Sequence, residues 1–367
     1  ACLLRDRIAE VQSLAGVSVV TGATVARVAR LVGEDGTLWE LRLADGAALN
    51  ADAVVLATGF DHVDARTKGP YGFGVLPSVT TGEEVERRLS AEGQWAYDSA
   101  NLKRVAFIQC VGSRDEQAGR GYCSQVCCRY ALRLARLLRK RMPDVQITIY
   151  KMDLQVSGRD ICAIWDAARK EGLRVIVGLP AVIRRSTDTP GAVTFLYDDI
   201  LAAKITQDTY DLVILSTGIQ PRADAAHWAD VLGIERDEYG FFATAADGAT
   251  TLAPGVFVAG CCGAPRSIAE SVAHAQQAAE VCHTYLRVAV PHDLQPRVRQ
   301  PLQVVIGEDH APPRRLDRQL EGREHLVLHA VSEVVEVVGD DDPVRHVEPI
   351  VPLRLDIYRN WNMMQAW

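Results

Sequence analysis

Four cysteines fall within nineteen residues: Cys110, then, beyond a polar glycine-rich stretch, Cys123, Cys127 and Cys128. Soft thiolates select zinc or iron–sulfur clusters, and four of them suit a [4Fe–4S] cube. Their spacing lets them meet. Val105–Gln109 reads as a buried strand that delivers Cys110 at its end, and 124–140 reads as a helix. Cys123 then stands at the helix start, Cys127 one turn further on the same face, and Cys128 about 100° round it. The loop 111–122 is long enough to fold back and bring strand end to helix mouth. First-turn N–H groups favour anions and are expected to lower the thiol pKa values. Arg114, Arg120, Arg129 and Arg133 are close enough in sequence to offset the charge of four thiolates. Three other readings stay open on the residues alone. A structural zinc site usually uses paired CxxC knuckles, which are missing here. A vicinal Cys127–Cys128 disulfide would be strained. The plainest alternative is four unpaired core cysteines.

Strands and helices must hold this constellation, and their pattern is an alternating one. The apolar runs 53–57, 105–109, 146–151, 174–177, 212–215 and 256–259 read as buried strands of a parallel sheet. Helical stretches are expected near 83–89 and at 124–140, 159–171 and 268–285. Val17–Val20, Thr24–Leu31 and Leu38–Leu43 read as further strands, with a hairpin turn at Gly33–Gly36. Strands alternating with helices predict an α/β, doubly wound fold. Two strands end alike, in Ala57-Thr58-Gly59 and in Ser216-Thr217-Gly218. Such turns lie at the carboxyl edge of a parallel sheet, where open α/β sheets bind ligands. The plain alternative is that any strand can end in Thr-Gly.

Composition narrows the function classes. The chain has 367 residues, a hydrophobic fraction of 48% and a formal net charge of −7. A negative balance argues against nucleic acid as the main partner, because phosphate contacts need concentrated Lys and Arg. No run reaches the ~18–20 apolar residues of a membrane span. Nine cysteines, an odd number with vicinal pairs, do not read as a secreted disulfide framework. The opening ACLLRDRIAEVQS carries charges where a leader would be apolar, so a cytoplasmic location is expected. The chain starts on Ala within a helix-like stretch, which reads as a fragment or a split gene product.

Four stretches carry a family resemblance: "VVLATGFDHVD" from Val54, "CVGSRDEQAGRGYCSQVCCRYALRLA" from Cys110, "DLVILSTGIQP" from Asp211 and "GVFVAGCCGAPRSIAESVAHAQQAA" from Gly255. The cysteine stretch is the specific one. Residues 1–290 resemble the thioredoxin-reductase-like core of the A-type subunits of heterodisulfide reductase, a family of iron–sulfur flavoproteins. The resemblance implies a two-domain FAD/NAD(P)-binding fold with mostly parallel sheets. Residues 1–100 and 241–290 would form the FAD-binding domain. Residues 101–240 would form an NAD(P)-like domain carrying the iron–sulfur site, and 291–367 a small appended C-terminal module of unassigned role.

It further implies FAD and a [4Fe–4S] cluster on Cys110, Cys123, Cys127 and Cys128. The flavin would meet Thr58, Gly59 and Gly260, with the helix from Ile268 aimed at its ring. Arg133 stands where many family members have a Lys close to the flavin; it keeps the charge but cannot deprotonate. Expected partners are the other members of such a complex: B-like, C-like or ferredoxin-like subunits. The implied activity is that of an oxidoreductase component passing electrons between FAD and the cluster. Side chains acting as general acid or base are not expected. The family's amino-terminal GxGxxG turn and its ferredoxin-like CxxCxxCxxxC runs have no counterpart in these residues. A non-catalytic assembly protein with a structural cluster remains an alternative. So does an NAD(P)H-dependent flavin disulfide reductase, although Cys110 stands where that enzyme's phosphate turn would begin.

Overall fold

In a computed structural model, the structure describes residues 10–11, 13–14, 17–33, 36–92, 102–153, 161–289, 302–306 and 326–329. Its centre is a five-stranded, all-parallel sheet. The strand order is Arg174–Val177, Gln146–Lys151, Arg104–Val111, Leu212–Thr217, Val79–Thr81. The middle strands are apolar on both faces, because helices cover one face and a hairpin covers the other. On the first face Val105, Phe107, Ile147, Ile149, Leu212 and Ile214 pack against the helix Cys127–Arg141. That helix buries Cys127, Cys128, Ala131, Leu132, Leu134, Ala135 and Leu138, a stripe at three- and four-residue spacing. Arg139, Lys140 and Arg141 crowd its last turn, where cations complement the dipole. On the opposite face Ala106, Ile108, Val213 and Leu215 meet Val193, Phe195, Tyr197 and Tyr210 of the antiparallel strands Val193–Asp199 and Lys204–Tyr210.

A second core lies around the parallel pair Val54–Leu56 and Val256–Val258. The antiparallel meander Val25–Gly33, Gly36–Leu43, Ala48–Ala51 contributes Trp39, Leu41 and Leu43 to it. The helix Ala225–Leu232 closes it with Ala225, Ala229 and Leu232. The helix Ile268–Ala289 packs on the other side of the pair through Ala278, Cys282 and Leu286. The α/β expectation is therefore met, with the alternating strands and helices where the apolar runs put them.

Two strands come from the stretch expected to be an appended module. Leu302–Ile306 pairs in parallel with Val17–Thr21, and Leu326–His329 pairs antiparallel with Leu302–Ile306. Of 291–367 only these two strands fall among the described residues, and Cys2 lies outside them. Among the described residues no helix is long and apolar enough to cross a membrane.

Candidate functional site

Cys110 sits one residue before the end of the central strand Arg104–Val111, in a left-handed conformation (φ 58°). That conformation costs a non-glycine residue strain, and such strain clusters at functional positions. Here it turns the chain out of the sheet opposite Leu215–Thr217, where the register slips. The loop beyond is closed on itself. Ser113 N–H donates to Cys110 O, Arg114 N–H to Tyr122 O, and Asp115 pairs with Arg120 as an isolated antiparallel bridge. Lys68 ties the loop from outside, 2.7 Å from Asp115.

The helix begins at Cys127, three residues later than the sequence pattern predicts. The reason is local. Ser124 is consumed by tertiary hydrogen bonds, its N–H and hydroxyl each 3.0 Å from Ser113 Oγ. Gln125 is left-handed (φ 59°), which a helix cannot accommodate. Cys123 thus sits in the loop before the helix, where the Gln125 N–H reaches its sulfur at 3.4 Å.

The four cysteines are brought together. Cys127 hydrogen-bonds with both Cys110 and Cys128 and feels the charge of Cys123, which in turn feels Cys128. Cys127 and Cys128 are buried, Cys110 and Cys123 half-buried, and none of the four is in a disulfide. Among the described residues no three His, Cys, Asp or Glu side chains close tightly enough to hold a lone metal ion. A cube distributes its four ligands over separate irons and does not need that closeness.

The thiol pKa values go the other way from the sequence expectation. The hydrogen bond with Cys110, with burial and neighbouring thiols added, pushes Cys127 up to about 12. Burial pushes Cys123 up as well. The Cys110 hydrogen bond at Cys127 and burial at Cys123 outweigh the helix mouth, so Cys123 and Cys127 are thiols until a cation replaces their protons.

The charges that face them are not the expected four. Of the sequence-near arginines, Arg114 is held by Asp153 and lies in the field of Cys110 and Cys123. Arg120 donates to Gly112 O at 2.9 Å, and Arg129 is felt by Glu270. Arg133 is 51% exposed and paired with Glu86 of the helix Gly82–Glu92. A cation the sequence reading overlooked is Lys151, at the end of the neighbouring strand. It is buried, its pKa lowered by desolvation and by Arg169, and it feels Cys128. Its signal was a lone Lys closing the apolar run 146–151.

The second set of candidates collects at the end of the other parallel pair. Thr58 is buried, and Gly59 and Gly260 both take positive φ, 73° and 74°. A Cβ on Gly260 would meet open space, so a ligand has room to approach the backbone there. Cys262 lies under this edge, its sulfur 3.2 Å from Leu56 O and against the N–H groups of Thr58 and Gly59. Burial raises its thiol to about 11, the state of a core filler. Cys261 contacts Ser271 Oγ at 3.4 Å. Ile268 is 80% exposed at the start of its helix. Ser267 and Glu270 cap that helix reciprocally, at 2.7 and 3.3 Å, so its positive end already faces a carboxylate.

Two further groups at this edge were missed. Arg266 donates to Gly260 O at 2.6 Å, with burial lowering its pKa. His274 Nδ1 accepts the Gly260 N–H at 2.9 Å. Arg266 carried no signal in the sequence, and His274 reads there as a lone histidine in a solvated or core role.

The two sets are joined. Gln125 Nε2 donates to Pro265 O at 3.1 Å. Tyr122 donates to Ile219 O at 2.9 Å and stacks edge-on with Tyr239 and Phe241.

Comparison with known proteins agrees with this architecture. Residues 121–279 match the family described as pyridine nucleotide-disulphide oxidoreductase. The second iron–sulfur A-type subunit of the CoB–CoM heterodisulfide reductase of Methanopyrus kandleri is 38% identical over 64% of this chain and 37% of its own length. The A-type subunit of the H(2):CoB-CoM heterodisulfide,ferredoxin reductase of Methanothermobacter thermautotrophicus is 35% identical over 66% of this chain and 37% of its own. The chain thus spans little more than a third of the length of these curated relatives. Among solved structures, the T. acidophilum thioredoxin reductase aligns with a TM-score of 0.44 and 17% identity, over 71% of this chain and 73% of its own. Over nearly two thirds of its length, the chain is similar to the A-type subunits of heterodisulfide reductase, and residues 121–279 match the pyridine nucleotide-disulphide oxidoreductase family.

Proposed function

We propose that this chain is the electron-transferring part of a heterodisulfide-reductase-like oxidoreductase, and that Cys110, Cys123, Cys127 and Cys128 hold a [4Fe–4S] cluster. The observation that carries the reading is the convergence of the Cys110 strand end with three thiols around a helix start, with Lys151 and Arg114 as counter-charges. The buried carboxamide of Gln109 beside Cys110, without a hydrogen-bond partner among the described residues, fits a site built around a group with hydrogen-bond acceptors. Bound there, such a cluster supplies one-electron chemistry.

FAD is proposed at the edge formed by Thr58, Gly59 and Gly260, where two positive-φ glycines and the open space at Gly260 expose backbone. Arg266 supplies a cation at that edge through its hydrogen bond to Gly260 O, and Ile268, exposed at the start of its helix, follows it. Arg133, facing Glu86, acts on a flavin only through a change of partner. The division into an FAD-binding part (1–100 and 241–290), a cluster-bearing part (101–240) and the stretch 291–367 is retained on the same basis. The names of the relatives support partners of the B, C or ferredoxin type, and a cytoplasmic setting follows from that chemistry.

The chain's residues divide the work. The four thiols give up their protons on metal binding, which makes assembly pH-dependent. Arg114 and Lys151 lower the electrostatic cost of the resulting anion. Tyr122, Phe241 and the closed loop 112–122 shield it on one side.

The test is anaerobic reconstitution of the full chain, with iron, sulfide and flavin assayed. About four irons per chain, lost in Cys127→Ser but retained in Cys262→Ala, support the reading. An iron-free wild type overturns it. Iron with no flavin uptake favours an assembly protein with a structural cluster.

A further inference from the structure

On the face of the central sheet covered by the helix Cys127–Arg141, Val105, Phe107, Ile147, Ile149, Leu212 and Ile214 are apolar. Two residues further along, alternation puts Gln109, Lys151 and Ser216 on that same face. The register places them side by side. Ile108 pairs with Tyr150 and with Leu215, so the next residues Gln109 and Lys151 stand side by side, with Ser216 on the third strand where the register slips. All three are buried, Gln109 at 1% exposure. A polar row inside an otherwise apolar layer needs a reason. Leaving a buried amide unpaired costs about 1–3 kcal/mol per group.

Gln109 is unpaired at both ends: neither its Oε1 nor its Nε2 meets a partner among the described residues. The Ser216 hydroxyl likewise lacks hydrogen-bonding geometry, although the Tyr130 hydroxyl lies next to it on its way to Thr217 O at 3.2 Å. Lys151 lies within the field of Cys128, and Gln109 directly precedes Cys110. Gln109 and Lys151 therefore lie beside the cysteine site, and the Gln109 carboxamide has no hydrogen-bond partner among the described residues.

We propose that Gln109 and Lys151 are positioning residues that set the reduction potential of the group held by the four cysteines. The inference rests on the cluster reading above and deepens it. One-electron reduction adds a negative charge to an already anionic site. A buried ammonium and an N–H donor to sulfur both stabilise the added charge and raise the potential. Ser216 supplies a weaker, rotatable donor on the far side of Gln109.

The experiment uses the anaerobically reconstituted full chain. Iron content is measured first, then the midpoint potential by titration followed in the electron paramagnetic resonance spectrum. Lys151→Met and Gln109→Leu are each expected to make reduction about tenfold less favourable, a fall of about 59 mV for one electron. Lys151→Arg, which keeps the charge, should recover most of the loss. Iron-loaded variants with reduction equilibria within twofold of wild type would overturn the proposal, as would an Arg variant as low as the Met variant. Should the variants fail to fold or hold iron, the unsubstituted protein decides. Side-chain ¹⁵N-labelled glutamine must give a hyperfine coupling to the reduced cluster, and its absence sinks the assignment. Iron-free wild-type protein would instead remove the cluster reading itself, a separate and distinguishable failure.

Discussion

The hydroxyl of Ser113 lies 3.0 Å from both the N–H and the hydroxyl of Ser124, and this pair closes the cysteine loop. Ser113 Oγ also donates to Tyr122 O at 3.0 Å, while Ser124 Oγ takes the N–H of Ile219 at 2.9 Å. Strand end, helix approach and the Gly218–Ile219 segment are thereby fixed to one another through two buried hydroxyls. Gly218 has to be glycine here: a Cβ would stand 2.6 Å from Ser124 Oγ and 2.7 Å from Ser113 Cβ. Ser124→Ala should cost about 1–3 kcal/mol by stranding the Ile219 N–H. Gly218→Ala should cost a similar amount by overpacking. Both should lower iron retention more than Cys262→Ala does. Thermal denaturation paired with iron analysis reads both effects, and a Gly218→Ala protein as stable as wild type would contradict this account.

Thiol reactivity should sort the cysteines by environment. Burial sets Cys262 at about 11 and Cys282 at about 12. At pH 8 their thiolate fractions are on the order of one in a thousand and one in ten thousand. Iodoacetamide at pH 8 should leave both unmodified in folded, iron-free protein and label half-buried Cys110 and Cys123 first. Peptide mass spectrometry with and without denaturant gives the answer; early labelling of Cys262 would refute its assignment as a core filler.

His274 should give the fold a pH dependence near neutrality. Its Nδ1 accepts the Gly260 N–H, so Nε2 carries the hydrogen that goes to Gly248 O at 2.6 Å. Burial lowers its pKa below the ordinary 6.5. A depressed value means that the unfolded chain binds the proton first. The stability is therefore complete above pH 6.5 and declines as pH falls through the folded value. The Tm advantage of wild type over His274→Gln should shrink between pH 7.5 and pH 5. A constant difference across that range would rule out the neutral, buried imidazole.

Asp208 anchors the far end of the central sheet. It accepts from Arg104 at 3.0 Å, Arg174 at 2.9 Å, Tyr197 at 2.9 Å and Tyr150 at 3.1 Å. Burial pushes its carboxyl up, but these donors, Arg104 foremost, hold it below 3.8. Asp208→Asn should cost about 2–3 kcal/mol, since hydrogen bonds to a charged group are lost. The wild type keeps this contribution above pH 3.8 and loses it as pH falls through the depressed value. Acid titration of far-ultraviolet circular dichroism should thus bring the two proteins together at low pH. Parallel curves would argue against the network.

The elements were legible because their signals are local. Apolar runs such as 212–215 and 256–259 can only be satisfied by burial on both faces, and they lie in the paired strands. The convergence of Cys110 with Cys123, Cys127 and Cys128 follows from strand–loop–helix spacing. What escaped depends on three dimensions. Helical spacing carried 124–126 into the helix, but the hydrogen bonds of Ser124 with Ser113 and Ile219 are made by residues distant in sequence. Thiol acidity followed burial, which the helix-mouth argument ignores. Arg133 lies close to the cysteines in sequence yet turns to Glu86, while Lys151, 23 positions after Cys128, comes into its field from the neighbouring strand.

The Tyr122 and Gln125 contacts carry a mechanical implication. Both residues flank Cys123, and both reach over to the part of the molecule that holds Gly59 and Gly260, through Phe241 and Pro265. A swivel of one half against the other would drag on a cysteine side chain and peel an aromatic stack apart. These contacts hold the Cys123 loop to the Gly59–Gly260 edge, so the two candidate sites are tied together by the residues on either side of one cysteine.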